Sequence, residues 1–160
     1  RDRTRNSAAY KGIMALILQD SPLDFMTGHR MDIASYIDED ADIHHIFPQT
    51  YCERKNLPRI KWNSVINKTP IYASSNRSIG GHAPSIYIGT MANKGLMQVQ
   101  IQEAIESHKI NYAHLVSDDF NAYFIDRAKQ LLDRIEIATG KSVSGRDSEE
   151  TIREFGFSLI

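Results

Sequence analysis

The chain has 160 residues, 41% hydrophobic and 24% charged, with a formal net charge of −1. That is the composition of one ordinary globular domain, and it excludes disordered, collagen-like and coiled-coil classes. The longest apolar run, Ile13 to Leu18, is far shorter than the ~20 residues of a membrane span and no signal-peptide pattern precedes it, so a cytoplasmic protein with no membrane partner is expected. One cysteine, Cys52, allows neither an internal disulfide nor a paired-thiol zinc knuckle, and is expected to be a packing residue. Any metal must be held by His, Asp, Glu or Asn.

In chain order, Ser7 to Gln19 reads as a helix with Asn6 or Ser7 as N-cap and Ile13, Leu16 and Ile17 on one face; Ser21-Pro22 ends it. Leu23 to Asp40 reads as a loop with a short helical piece around Ile33 to Ile37. Asp42 to Pro48 is a strand-like run stopped by a proline, and Gln49 to Lys55 a short helix before the Asn56-Leu57-Pro58 break. Val65-Ile66 and Thr69 to Tyr72 offer strand pieces around Asn67, followed by a helix near Ser74 that Gly80-Gly81 cuts short. Beyond Pro84 the pattern is helical, with helices predicted over Asn93–Lys109 and Ser117–Thr139 and a stop at Gly140. These two helices are expected to supply most of the core. A single domain over 1–160 is expected, with a motif core at 42–77 and a helical part at 84–140. A chain opening on Arg1 rather than Met reads as the C-terminal piece of something longer.

The small net charge hides an uneven distribution. Between Gln49 and His82 stand Arg54, Lys55, Arg59, Lys61, Lys68 and Arg77 against the single acid Glu53, while acids gather at Asp32 to Asp42 and in the last third. Such a stretch suits a polyanionic partner, although solvation of a surface explains it equally well.

The positions that carry chemistry are the pair His44-His45 at a strand end, Asn67 between two β pieces, and Asn76 at the head of a helix. Singly, each has an ordinary structural explanation. Together they have an order and a spacing, 22 residues from His45 to Asn67 and 9 from Asn67 to Asn76. That pattern resembles the HNH, or ββα-metal, nuclease motif. The run Asp42-Ile43-His44-His45-Ile46-Phe47-Pro48-Gln49 is similar to the Asp-x-Asp-His-Ile-x-Pro-Gln signature of the HNH domain in RNA-guided CRISPR nucleases. A longer likeness, through His44 to Pro48, Asn63 to Pro70, Ser75 to Gly81 and Ala83-Pro84-Ser85, is to the C-terminal HNH domain of GmrSD-type restriction proteins.

The resemblance implies an α+β fold in which a ββα-metal (His-Me finger) HNH core is embedded in a mainly helical domain. The activity implied is metal-dependent hydrolysis of DNA phosphodiesters in restriction or phage defence. It makes His45 the general base, His44 and Asn76 the protein ligands of one divalent metal ion, and Asn67 the scaffold residue that turns His45 inward. The partners implied are DNA and, in the full-length protein, an N-terminal ParB-like nucleotide-handling domain. Lys68, Arg77 and His82 are candidate nucleic-acid contacts, and Asp42 a candidate support for a site histidine, accepting its second N–H. Mg²⁺ or Mn²⁺ is the expected ion, with Co²⁺, Ni²⁺ or Zn²⁺ open, because many relatives carry Asp where this chain has His44, and a neutral imidazole suits borderline metals. A non-catalytic DNA-binding ββα module, an RNA nuclease and a nuclease of broad specificity are the alternatives. Adjacent strand residues face opposite sides, so His44 and His45 can share a site only where the strand ends or bulges.

Overall fold

The structure, a computed structural model, describes residues 7–38 and 41–160. The fold is α+β, mostly helical around one two-stranded antiparallel sheet. Helix α1, Ala8–Gln19, starts at Ser7, whose hydroxyl oxygen accepts the amide of Tyr10; the other cap candidate, Asn6, lies outside the described residues. After a loop comes the short α2, Ile33–Asp38, as the sequence predicts; Asp40, the end of that expected loop, is not among the described residues.

Strand β1, Ala41–His45, pairs with β2, Lys68–Tyr72, so that His44 lies opposite Thr69 and His45 opposite Lys68. Pro70 is tolerated in β2 because each strand of a two-stranded sheet has a side with no ladder to complete. The connection between the strands carries α3, Gln49–Arg54, and the single turn α4, Arg59–Trp62. Val65-Ile66, expected as a strand piece, belongs instead to a turn of 3₁₀ helix over Val65–Asn67, in which Asn67 is buried just before β2. Helix α5, Ala73–Ile79, follows β2 directly and ends at Gly80, whose φ of 61° and ψ of −148° lie in a region that favours glycine.

The helical half differs from expectation at two breaks. The helix predicted over Asn93–Lys109 is shortened to α7, Gln98–Glu106, and a separate α6, Pro84–Asn93, precedes it, because Gly95 at φ 96° turns the chain between the two. The helix predicted from Ser117 begins at Phe120 (α9, Phe120–Thr139) after a separate short α8, Tyr112–Val116; Asp118 takes a positive φ and the Asp119 carboxylate caps the amide of Ala122. Gly140 stops α9 in the left-handed conformation, as predicted. A further helix, α10, Glu149–Phe155, was not legible in the sequence pattern; its Phe155 stacks on Phe124. The core is not built by the long helices alone. Phe25, Ile46, Phe47 and Ile71, from loops and hairpin, share one buried cluster with Tyr87, Ile105 and Phe124, so the hairpin is packed into the helical layer.

Candidate functional site

Asn67 is fully buried and uses every hydrogen-bonding position of its amide. Its Nδ2 donates to the carbonyls of Phe47 (3.0 Å) and Trp62 (2.8 Å), and its Oδ1 accepts from the Phe47 amide (3.0 Å) and the Tyr123 hydroxyl (3.1 Å). The residue thus ties both ends of the long connection to the hairpin, the scaffold part the sequence suggests. Behind it stands Arg127 of α9, buried with no carboxylate partner among the described residues and bonded to the carbonyls of Ile66, Lys68 and His108. A guanidinium satisfied by carbonyls of the 65–68 segment fixes the backbone from which Asn67 projects.

His44 points inward from β1, enclosed by Phe25 and Tyr87 at ring-centroid distances of 5.8 and 5.7 Å. Burial pushes its imidazole down to about 4, opposed by its bond to Asn76 and by the charge of Asp42. At neutral pH the ring is uncharged. Its Nδ1 lies 2.9 Å from Asn76 Oδ1, while Asn76 Nδ2 donates to Asp42 Oδ2 at 2.7 Å. Asp42 therefore decides which way the Asn76 amide faces. This corrects the expectation that Asp42 accepts from a histidine: it accepts from Asn76, on the face of β1 that it shares with His44. His44 Nε2 is buried with no hydrogen-bond partner among the described residues, so the proton is placed on Nδ1, which donates to Asn76 Oδ1.

His45 projects from the other side of the strand, its ring edge-on to Trp62 at 5.9 Å, and Nε2 donates to Asn63 Oδ1 at 3.2 Å. With the proton on Nε2, the basic nitrogen of the neutral ring is Nδ1. The strand ends at His45, and both histidines border one polar pocket of about 200 Å³ with Asn76, Thr50, Gly80 and Gly81. The two residues thus border one pocket although both are paired in the ladder and leave β1 on opposite sides. The hollow between α1 and α2, by contrast, is lined mostly by apolar side chains, Met14, Leu18 and Ile33 among them.

The pocket wall is backbone where a side chain would not fit. A Cβ on Gly81 would meet Thr50 Oγ1 at 2.8 Å and Thr50 Cβ at 3.0 Å. Arg54, one turn beyond Thr50 on α3, is exposed and reaches the Gly81 carbonyl at 3.5 Å. Arg77, next to Asn76 on α5, and His82, next to Gly81, are exposed. Lys68 is not: it is 1% exposed, with its ammonium 5.8 Å over the Tyr10 ring, because its β2 position faces α1. This removes it from the candidate nucleic-acid contacts and leaves Arg54, Lys55, Arg59 and Arg77 as exposed cations of the basic stretch. Cys52 is fully buried, and burial pushes its thiol up to about 12, in keeping with packing.

Sequence reasoning missed Asn63, Asp24, His108 and Arg127. Asn63 opens one of the resembling segments, the only signal that could have drawn attention to it. The other three are tied to the site by contacts distant in sequence, at Tyr72 and Ser75 for Asp24, Leu23 and Thr69 for His108, and Ile66 and Lys68 for Arg127. No group of three or more His, Cys, Asp or Glu able to hold a metal occurs among the described residues, so a metal here would depend on Asn76.

No protein-family model and no solved structure matches the chain. An uncharacterized protein of Methanocaldococcus jannaschii is similar to it, 30% identical over 155 aligned positions that cover 83% of this chain and 26% of that protein. The chain spans about a quarter of that protein's length. Among the described residues no helix is long and apolar enough to cross a membrane.

Proposed function

We propose that the β1–β2 hairpin and α5 form a ββα-metal core of the HNH kind and that the protein is a metal-dependent endonuclease acting on DNA. The observation that carries this reading is the meeting, in one polar pocket, of an uncharged His44 imidazole, the Asn76 amide oxygen 2.9 Å from it, and His45 at the strand end. The imidazole nitrogen of His44 and the amide oxygen of Asn76, hydrogen-bonded at 2.9 Å, are neutral donors that would hold a divalent ion together once the proton between them has moved. Bound there, the ion supplies positive charge for the scissile phosphate and the departing 3′ oxygen.

The chain's own residues supply the rest. His45 Nδ1 takes a proton from the attacking water as its oxygen bonds to phosphorus and the bond to the 3′ oxygen breaks. Asn63 holds the ring in that tautomer. Asp42 keeps the Asn76 oxygen, not its nitrogen, toward His44. A cost follows as well. For His44 Nδ1 to serve as a ligand, its proton must move to Nε2, where the buried N–H finds no oxygen acceptor, a penalty of about 1–3 kcal/mol. Held by His44 and Asn76 alone, a metal would therefore bind weakly without nucleic acid, whose phosphate oxygens would share in holding it.

The test is cleavage of plasmid DNA and of a structured RNA with Mg²⁺, Mn²⁺, Co²⁺, Ni²⁺ and Zn²⁺. Metal-dependent nicking supports the reading; absence of cleavage of either substrate under every ion overturns it. Two finer results are expected. Asn63→Asp puts a carboxylate beside His45 and raises its pKa, so the acidic limb of the kcat/KM profile moves to higher pH by about one unit. Arg54→Ala removes a cation at the pocket rim, and the slope of log Kd against log salt for duplex DNA falls by about 0.9. An unchanged slope would mean that Arg54 touches no phosphate.

A further inference from the structure

Three consecutive residues outside the hairpin and α5 reach into the site from behind. The Leu23 carbonyl accepts from His108 Nε2 at 2.7 Å, and His108 Nδ1 in turn accepts from the Thr69 hydroxyl at 2.6 Å; Thr69 is the cross-strand partner of His44. The Phe25 ring lies 5.8 Å from His44 and 4.8 Å from His108. Between them, Asp24 is fully buried and forms no ion pair among the described residues. A buried carboxylate needs donors to replace its water. Met26, Thr27, Tyr72 and Ser75 supply them.

Two of those donors lie on opposite sides of the turn from β2 into α5. Oδ1 accepts the amide of Tyr72, the last residue of β2, at 2.8 Å, and Oδ2 accepts the hydroxyl of Ser75 at 2.6 Å. Ser75 immediately precedes Asn76. Because successive helical residues are turned about 100° apart, a small rotation of this first turn swings Asn76 away from β1. We propose that Asp24 is a positioning residue of the site, clamping the first turn of α5 to the end of β2 so that Asn76 Oδ1 falls at His44 Nδ1. The role of that pair in binding a cation rests on the nuclease reading; the clamp itself does not.

The experiment compares wild type, Asp24→Asn and Ser75→Ala, with Leu131→Ala as a core variant chosen to lower Tm without touching the site. The first readout is the ¹⁵N spectrum of the metal-free protein at neutral pH, following the Asn76 side-chain amide and the His44 ring nitrogens. The second is Mn²⁺ affinity by electron paramagnetic resonance in the presence of a non-cleavable oligonucleotide. Asp24→Asn is expected to shift the Asn76 and His44 signals and to weaken Mn²⁺ about tenfold or more, Ser75→Ala to do both less strongly, and Leu131→Ala to do neither. If Asp24→Asn fails to fold, Ser75→Ala, which deletes one hydroxyl, carries the same test. Unchanged Asn76 and His44 signals in whichever of the two variants folds overturn the clamp. A wild type that binds no Mn²⁺ overturns the metal reading, while the spectra still decide the role of Asp24.

Discussion

His45→Ala is expected to lower metal-dependent DNA cleavage by about 10²–10⁴-fold, the range associated with loss of a positioned general base. Mn²⁺ affinity and DNA affinity should change little. The reason is geometric: His45 projects from the opposite face of β1 to the His44–Asn76 pair and bonds Asn63 rather than either of them. Its deletion removes a proton acceptor without disturbing that pair. The loss should therefore appear in kcat, with KM near the wild-type value. Single-turnover cleavage beside a Mn²⁺ titration separates the two quantities. Wild-type cleavage by His45→Ala would end the general-base assignment, and loss of Mn²⁺ binding in the same variant would move His45 into the ligand set.

The second large effect concerns stability. His44 and His108 are both buried, and burial pushes them down to about 4 and about 3, against an ordinary 6.5. As pH falls below 6.5 the unfolded chain takes up two protons that the folded chain refuses until about pH 4 and about pH 3, so stability is full above 6.5 and is lost as acid is added. From pH 7 to pH 5 the loss is about 2 kcal/mol for each histidine, about 4 kcal/mol together, a large share of the stability of a small domain. Urea unfolding at a series of pH values should show it. In His108→Gln, over the window between 6.5 and 4, the dependence should flatten by about 1.4 kcal/mol per pH unit. An equal dependence in the two proteins would mean that His108 is protonated in the folded state. That would contradict its paired bonds, in which Nε2 donates to the Leu23 carbonyl and Nδ1 accepts from Thr69.

Local chemistry determined much of what the sequence by itself made legible. Ser7, Pro48 and Gly140 set boundaries through a side-chain cap, a missing N–H and a left-handed stop, and each acts on its immediate neighbours. The order of His44, His45, Asn67 and Asn76 was legible for the same reason, since a hairpin followed by a helix is a short-range unit. The tertiary structure decided the rest. Lys68 reads as a surface cation until β2 is laid against α1, which turns it inward. Asp42 reads as a partner for histidine until α5 brings Asn76 against it. Asp24, His108 and Arg127 carry no periodic or motif signal because the contacts that join them to the site are long-range, with Tyr72 48, Leu23 85 and Ile66 61 positions away respectively. Periodicity reports which face of an element is apolar. It does not report which buried polar group will complete another's hydrogen bonds, because that choice is made only when distant segments exclude water together.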